Sequence, residues 1–87
     1  MTTLPTIHLN GTGAKNLFDE YYSALKSIRK AEEALVAATC NQRDFYPQGD
    51  TAWQKARSER AEMFLHLQMV QEYLSTWAEH ANNHCTD

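Results

Sequence analysis

The chain has 87 residues, two cysteines and a formal net charge of −3 at neutral pH. This length allows one small domain, residues 1–87, with a modest hydrophobic core. The eight basic residues are scattered, which argues against binding to duplex nucleic acid, because that affinity needs clustered lysine and arginine. No apolar run approaches the roughly 18 residues of a membrane span, and the first residues do not resemble a signal peptide. We therefore expect a soluble, cytoplasmic protein without a membrane partner.

The first part of the chain, residues 1–11, is predicted to be a non-helical arm. Pro5 and the run from Gly11 to Gly13 bound this arm, and both disfavour a helix. We expect its apolar residues to cover the open end of a helical hairpin. The alternative is an arm that is exchanged with a second subunit.

A first amphipathic helix is predicted from residue 13 to residue 40, with Thr12 as its N-cap. Its apolar residues recur in steps of three and four, which is typical of a helix with one apolar face. These residues are Ala14, Leu17, Phe18, Tyr21, Ala24, Leu25, Ile28, Ala31, Leu35 and Ala38.

A second amphipathic helix is predicted from residue 51 to residue 82, before a polar tail at 83–87. Thr51 and Gln54 have the spacing of a capping box. The same helical period runs through Trp53, Ala56, Met63, Leu67, Val70, Leu74, Trp77 and Ala81.

The segment between the two helices, residues 41–50, is called the corner here. Pro47 cannot continue an α-helix, and Gly49 is able to adopt a positive φ. Two long amphipathic helices joined by such a turn predict an all-α antiparallel hairpin.

Further apolar residues widen both apolar faces, so we expect a homodimer that forms a four-helix bundle, or a larger assembly. These flanking residues are Leu17, Tyr22, Val36, Phe64 and Tyr73.

The spacing of the apolar residues also predicts how the helices face each other. If the chain turns back at residues 45–46, Ala14 faces Trp77 and Glu32 faces Arg60. We therefore predict an ion pair between Glu32 and Arg60, which would set the register more than the stability. On that hypothesis, Arg60→Leu is neutral or stabilising.

The reactive side chains, cysteine and histidine, do not form a recognisable catalytic arrangement. Cys40 has no histidine fixed beside it, and His80 and His84 have no further metal ligand in sequence. A disulfide between Cys40 and Cys85 is excluded in a hairpin, because a helix of about 28 residues separates its ends by about 40 Å. We predict no enzyme activity, no catalytic residue, no metal and no cofactor.

The corner is the better candidate for a binding site. Arg43 is predicted to contact an anion or a carboxylate, close to the N-terminus of the second helix. Phe45 and Tyr46 would form an apolar wall, and Asp44 would orient Arg43. The alternative is that Arg43 and Asp44 only cap the helices, and that Phe45 and Tyr46 only close the end of the bundle.

Two segments carry a resemblance to a family. The sequence IHLNGT at residues 7–12 and the sequence RDFYPQG at residues 43–49, each followed by a helix, resemble small helical proteins encoded by phages and prophages. The resemblance implies an accessory phage protein that antagonises a host defence system through a host protein partner. One alternative is a protein that sequesters a small nucleotide-like signal at the corner. A further alternative is a structural phage component.

Overall fold

In the computed structural model, which describes residues 2–8 and 10–84, all regular structure is helical. Helix α1 spans Ala14–Ala37, a 3-10 helix spans Gln42–Gln48, and helix α2 spans Asp50–Asn83. The two long helices pack against each other. The predicted all-α class and the non-helical arm are therefore confirmed for the described residues, and none of the helices there is long and apolar enough to cross a membrane.

The helix ends differ from the predictions in their caps. Gly13, and not Thr12, is the N-cap of α1, and no side chain caps that end. Helix α2 begins one residue early at Asp50, so Thr51 lies inside its first turn and forms no capping box with Gln54. The N-cap of α2 is Gly49, whose φ of 92° confirms the predicted positive φ. An alanine there would be strained, because this backbone region favours glycine.

The corner is a folded element that lies along α2. Its 3-10 helix contains Pro47 and packs against α2, with the Phe45 ring 5.8 Å from the Trp53 ring. The first turns of α2 are therefore covered by the corner and not by α1.

The predicted register is wrong for this reason. Tyr21, and not Ala14, meets Trp77, and their rings stack with centroids 4.5 Å apart and an interplanar angle of 6°. The prediction placed the turn at the middle of a simple loop. In the structure, the 3-10 helix packs against the first turns of α2. Helix α1 is therefore displaced along α2, towards the C-terminal end of α2.

Arg60 does lie between the helices, but the predicted ion pair with Glu32 is not formed. Its guanidinium donates hydrogen bonds to the backbone carbonyls of Leu35, Val36 and Ala38, at 2.9 Å for Ala38. The last carbonyls of a helix have no partner within the helix itself. Arg60 therefore caps the C-terminus of α1 from the neighbouring helix.

The hairpin is a thin slab with little interior. Its dimensions are 61 × 24 × 16 Å, and the buried apolar residues in the described part are Leu25, Leu74, Ala78 and Ala81. The radius of gyration is 18.7 Å, against about 12 Å for a compact domain of this length. The accessible surface is 6756 Å², against about 5,200 Å² for a compact monomer of this mass.

The arm lies against the C-terminal part of α2. His80 donates a hydrogen bond from Nε2 to the carbonyl of Pro5 at 2.7 Å, and Leu4 lines a shallow cavity beside His80. The prediction that the arm covers the open end of the hairpin is confirmed for these residues. Cys40 forms no disulfide with any described residue. Cys85 lies outside those residues, so the predicted absence of a disulfide between the two stays a prediction.

Candidate functional site

The four predicted site residues are on or beside the 3-10 helix, but they do not form one site. Arg43, Asp44 and Tyr46 are exposed, with 68% of Tyr46 accessible, whereas Phe45 is half-buried against Trp53. Within residues 2–8 and 10–84, the side chains of Arg43 and Asp44 have no hydrogen bond or ion pair. The prediction that Asp44 orients Arg43 is therefore not supported by this geometry.

A cavity of about 350 Å³ lies behind the corner, where the end of α1 meets the first half of α2. We call this cavity the corner cleft. Six residues line it: Cys40, Trp53, Arg57, Arg60, Ala61 and Phe64. Its volume is at the low end of the range of small-molecule sites, about 300–1,000 Å³, but it is a shallow groove open to solvent and not an enclosed pocket.

Two arginine–aromatic pairs frame the corner cleft. The Arg57 guanidinium lies 6.0 Å from the centre of the Trp53 ring, and that of Arg60 lies 5.4 Å from the centre of the Phe64 ring. Attraction between a cation and the face of an aromatic ring holds such pairs together. The cleft therefore combines positive charge with flat apolar surface.

The two arginines differ in what their guanidinium groups already bind. Arg60 is engaged by the carbonyls at the end of α1, which fixes its position. Arg57 has no hydrogen bond or ion pair with any described residue. Because a guanidinium has five N–H donors, Arg57 is the group in the cleft that remains able to bind an anion.

Arg57 also borders a second, more polar cavity of about 320 Å³. The other residues that line this cavity are Gln54, Ser58 and Ala61. Arg57 and Ala61 are common to both cavities, so an amide and a hydroxyl lie next to the aromatic cleft. A ligand with a planar ring and a polar, charged group would find suitable surfaces on the two sides of Arg57.

The N-terminus of α2, near which Arg43 is predicted to bind an anion, already has an acidic residue in its first turn. Asp50 is in its first turn, and its carboxylate already complements the positive end of the helix dipole. A second negative group there would be repelled by Asp50. The guanidinium of Arg57 lies further on, about two turns beyond this end on the side of α2.

Sequence reasoning missed Arg57 and assigned Trp53 and Phe64 to the packing of the hairpin. The signal was present, because Trp53, Arg57 and Phe64 are four and seven residues apart and so share one face of a helix. That signal is ambiguous in the sequence, since the same spacing describes a face that packs against α1. No family model, curated protein or solved structure matches this chain.

Proposed function

We propose that this protein binds and sequesters a small anionic ligand that contains a planar ring, of the nucleotide class, in the corner cleft. The observation that carries the proposal is the Arg57 guanidinium, which has no hydrogen bond or ion pair with any described residue and lies against Trp53 in an open cleft of about 350 Å³. An unpaired arginine beside an aromatic ring suits phosphate and a base together.

Each wall of the site has a role in this proposal. The planar ring of the ligand stacks on the face of Trp53 or Phe64 that its arginine leaves open, as bases do on aromatic side chains. Its phosphate accepts hydrogen bonds from Arg57, and its polar edge pairs with Gln54 or Ser58. Arg43, exposed on the corner, adds a second positive charge.

Sequestration fits this site better than turnover. A nucleophile needs a base within hydrogen-bond reach, and the cysteine in the corner cleft, Cys40, has no histidine among the residues that line it. The resemblance to phage and prophage proteins supplies the biological setting. In that setting, sequestering a nucleotide signal would blunt a host defence system.

A host protein partner is the second candidate function, and the exposure of Tyr46 favours it. Tyr46 is 68% accessible and shares the 3-10 helix with exposed Arg43 and Asp44. Tyrosine and arginine are frequent among the residues that dominate protein interfaces. On this hypothesis the outer side of the corner, and not the corner cleft, carries the function.

We also propose that the hairpin forms a homodimer with a four-helix bundle, as the sequence predicts. The support is the excess surface, since 6756 Å² are accessible where a compact monomer of this mass has about 5,200 Å². A bundle would bury much of that surface and hold the corner cleft rigid.

A thermal-shift screen tests the ligand proposal. We expect a nucleotide with a base and at least one phosphate to raise the melting temperature, because a ligand that binds only the folded state stabilises it. The matched ribose phosphate and the free nucleoside serve as controls, and each should give a smaller shift. No shift with mono-, di- or cyclic nucleotides at millimolar concentration would contradict the proposal. In that case, a host protein that is captured by the wild-type chain and not by the Tyr46→Ala variant would favour the second candidate function.

A further inference from the structure

Two histidines lie one helical turn apart at the C-terminal end of α2. His80 and His84 are separated by four residues, so their side chains are neighbours on one face of the helix. Their ring centres are 4.6 Å apart, and the ring planes are tilted by 54° to each other. His80 is half-buried and His84 is exposed. The pair is separate from the corner cleft, which lies about 20 Å or more away along α2.

Each ring donates a hydrogen bond to a backbone carbonyl, and these bonds show which ring nitrogen has the proton. Nε2 of His80 lies 2.7 Å from the carbonyl oxygen of Pro5, and Nδ1 of His84 lies 2.8 Å from that of His80. A carbonyl oxygen only accepts, so the ring nitrogen is the donor in both bonds. In a neutral imidazole the other nitrogen then has a lone pair. These two nitrogens are Nδ1 of His80 and Nε2 of His84.

Histidines that bind metals in proteins are held in the same way. One ring nitrogen binds the ion, and the other donates to a carbonyl or a carboxylate, which fixes the tautomer and the ring orientation. A ring nitrogen lies about 2.0–2.1 Å from a bound transition metal, so two rings that share an ion have centres at most about 6 Å apart. The separation of 4.6 Å between His80 and His84 is within this limit.

The charges around the two rings favour a cation. No lysine or arginine follows Arg60 in the sequence, and Glu79 lines the same shallow cavity as His80. Helix α2 ends at Asn83, so both rings are at its C-terminus. The C-terminus of a helix is the negative end of its dipole, which stabilises positive charge.

We infer that His80 and His84 bind a divalent transition metal of the class that prefers imidazole, namely Ni²⁺ or Cu²⁺. Nδ1 of His80 and Nε2 of His84 are the ligands. This inference goes beyond the nucleotide proposed for the corner cleft and is independent of it. It also departs from the sequence-based expectation of no metal, which rested on the missing third ligand. The two bonds to carbonyls are what the sequence does not show.

The number of protein ligands indicates which metal fits. Within residues 2–8 and 10–84, no group of three or more histidine, cysteine, aspartate or glutamate side chains is placed to hold an ion. Two imidazoles therefore bind the ion, and water completes its shell. Zn²⁺ in proteins usually has three or four protein ligands, whereas Ni²⁺ and Cu²⁺ bind nitrogen and oxygen ligands in square or octahedral shells.

The test is titration calorimetry of the untagged full-length chain with Ni²⁺, and with Mg²⁺ as the comparison ion. One Ni²⁺ should bind per chain, whereas Mg²⁺ should not bind, because it prefers oxygen ligands. His84→Gln should weaken Ni²⁺ binding at least about tenfold, since the loss of even a hydrogen-bond partner of a ligand costs about 10- to 100-fold. His80→Gln should have the same effect, although its amide is still able to donate to the carbonyl of Pro5.

Two control variants separate this site from other metal-binding side chains. His66→Gln removes a single exposed histidine of α2, whose ring lies 3.8 Å from Glu62, and should keep the wild-type affinity. Cys40→Ser with Cys85→Ser should also keep it, because no thiol is a ligand in this inference. Circular dichroism checks that each variant is folded, and if His80→Gln unfolds, the exposed His84→Gln decides. No Ni²⁺ binding at millimolar concentration, equal losses in His66→Gln and His84→Gln, or a loss in the double serine variant would overturn the inference.

Discussion

Replacing Arg57 with alanine should weaken nucleotide binding about 10- to 100-fold, since a hydrogen bond to a charged group contributes about 1.5–3 kcal/mol. The reason is that Arg57 lines the corner cleft and its guanidinium has no hydrogen bond or ion pair with any described residue. Stability should change little, because Arg57 is exposed and forms only the stacking contact with Trp53. Titration calorimetry with the nucleotide selected in the thermal-shift screen measures the effect.

Lys55→Ala is the matched control for this prediction. It removes one positive charge from α2, two residues from Arg57, at an exposed position that lines neither of the two cavities. A charge effect that acts only at long range would weaken binding equally in both variants. We expect Lys55→Ala to bind within about twofold of wild type, because exposed charges are screened by salt. Equal losses would mean that Arg57 does not contact the ligand.

Arg60→Leu should lower the free energy of unfolding by about 1–3 kcal/mol, because it removes the charged hydrogen bonds from Arg60 to the carbonyls at the end of α1. This expectation reverses the one drawn from the sequence, in which Arg60 only set the register through Glu32. In the structure its guanidinium satisfies the carbonyls of Leu35 and Ala38 at the end of α1. Leucine has no donor to replace it. Urea unfolding followed by circular dichroism gives the difference.

Glu32→Gln separates the two explanations of Arg60. If Arg60 acts through the carbonyls, the free energy of unfolding should change by less than about 0.5 kcal/mol, as for other substitutions away from such contacts. If the ion pair predicted from the sequence forms in solution, Glu32→Gln should destabilise the protein about as much as Arg60→Leu. That result would contradict the capping role of Arg60.

The period of the apolar residues predicted the helices well. Ala14–Ala37 and Asp50–Asn83 agree with the predicted ranges to within three residues at each end. A step of three and four is a direct consequence of helical geometry, so it can be read from one chain. The missing side-chain caps could not be read in this way, because Thr12 and Thr51 are good caps only when the backbone places them at the first turn.

The register could not be predicted because it depends on the corner. The sequence of residues 41–50 is compatible with a short loop and with a 3-10 helix. The two conformations would place α1 at different positions along α2. The contact between Phe45 and Trp53 shows which of the two is formed. The partner of Arg60 follows from this displacement, which is why Glu32 was assigned wrongly.

The sequence places the candidate site on the corner, whereas the proposed site lies behind the corner on the side of α2. Binding by Arg43, Asp44, Phe45 and Tyr46 stays a prediction. Arg43, Asp44 and Tyr46 were chosen because turn residues without a packing role suggested function. The corner folds onto α2, however, and the corner cleft is lined by Cys40 and by residues of α2 such as Arg57, and by none of the residues 41–50. Their spacing alone did not distinguish a packed face from a binding face.

The emission of Trp53 provides the most direct test that the ligand occupies the corner cleft. The chain has two tryptophans, and Trp77 lies far along α2, stacked on Tyr21. Trp77→Phe leaves Trp53 as the only tryptophan, and Trp53→Phe leaves only Trp77. With the nucleotide selected in the screen, we expect a saturable change of fluorescence in the Trp77→Phe variant and none in the Trp53→Phe variant. A saturable change from Trp77 alone, with Trp53 silent, would place the ligand elsewhere and contradict the account.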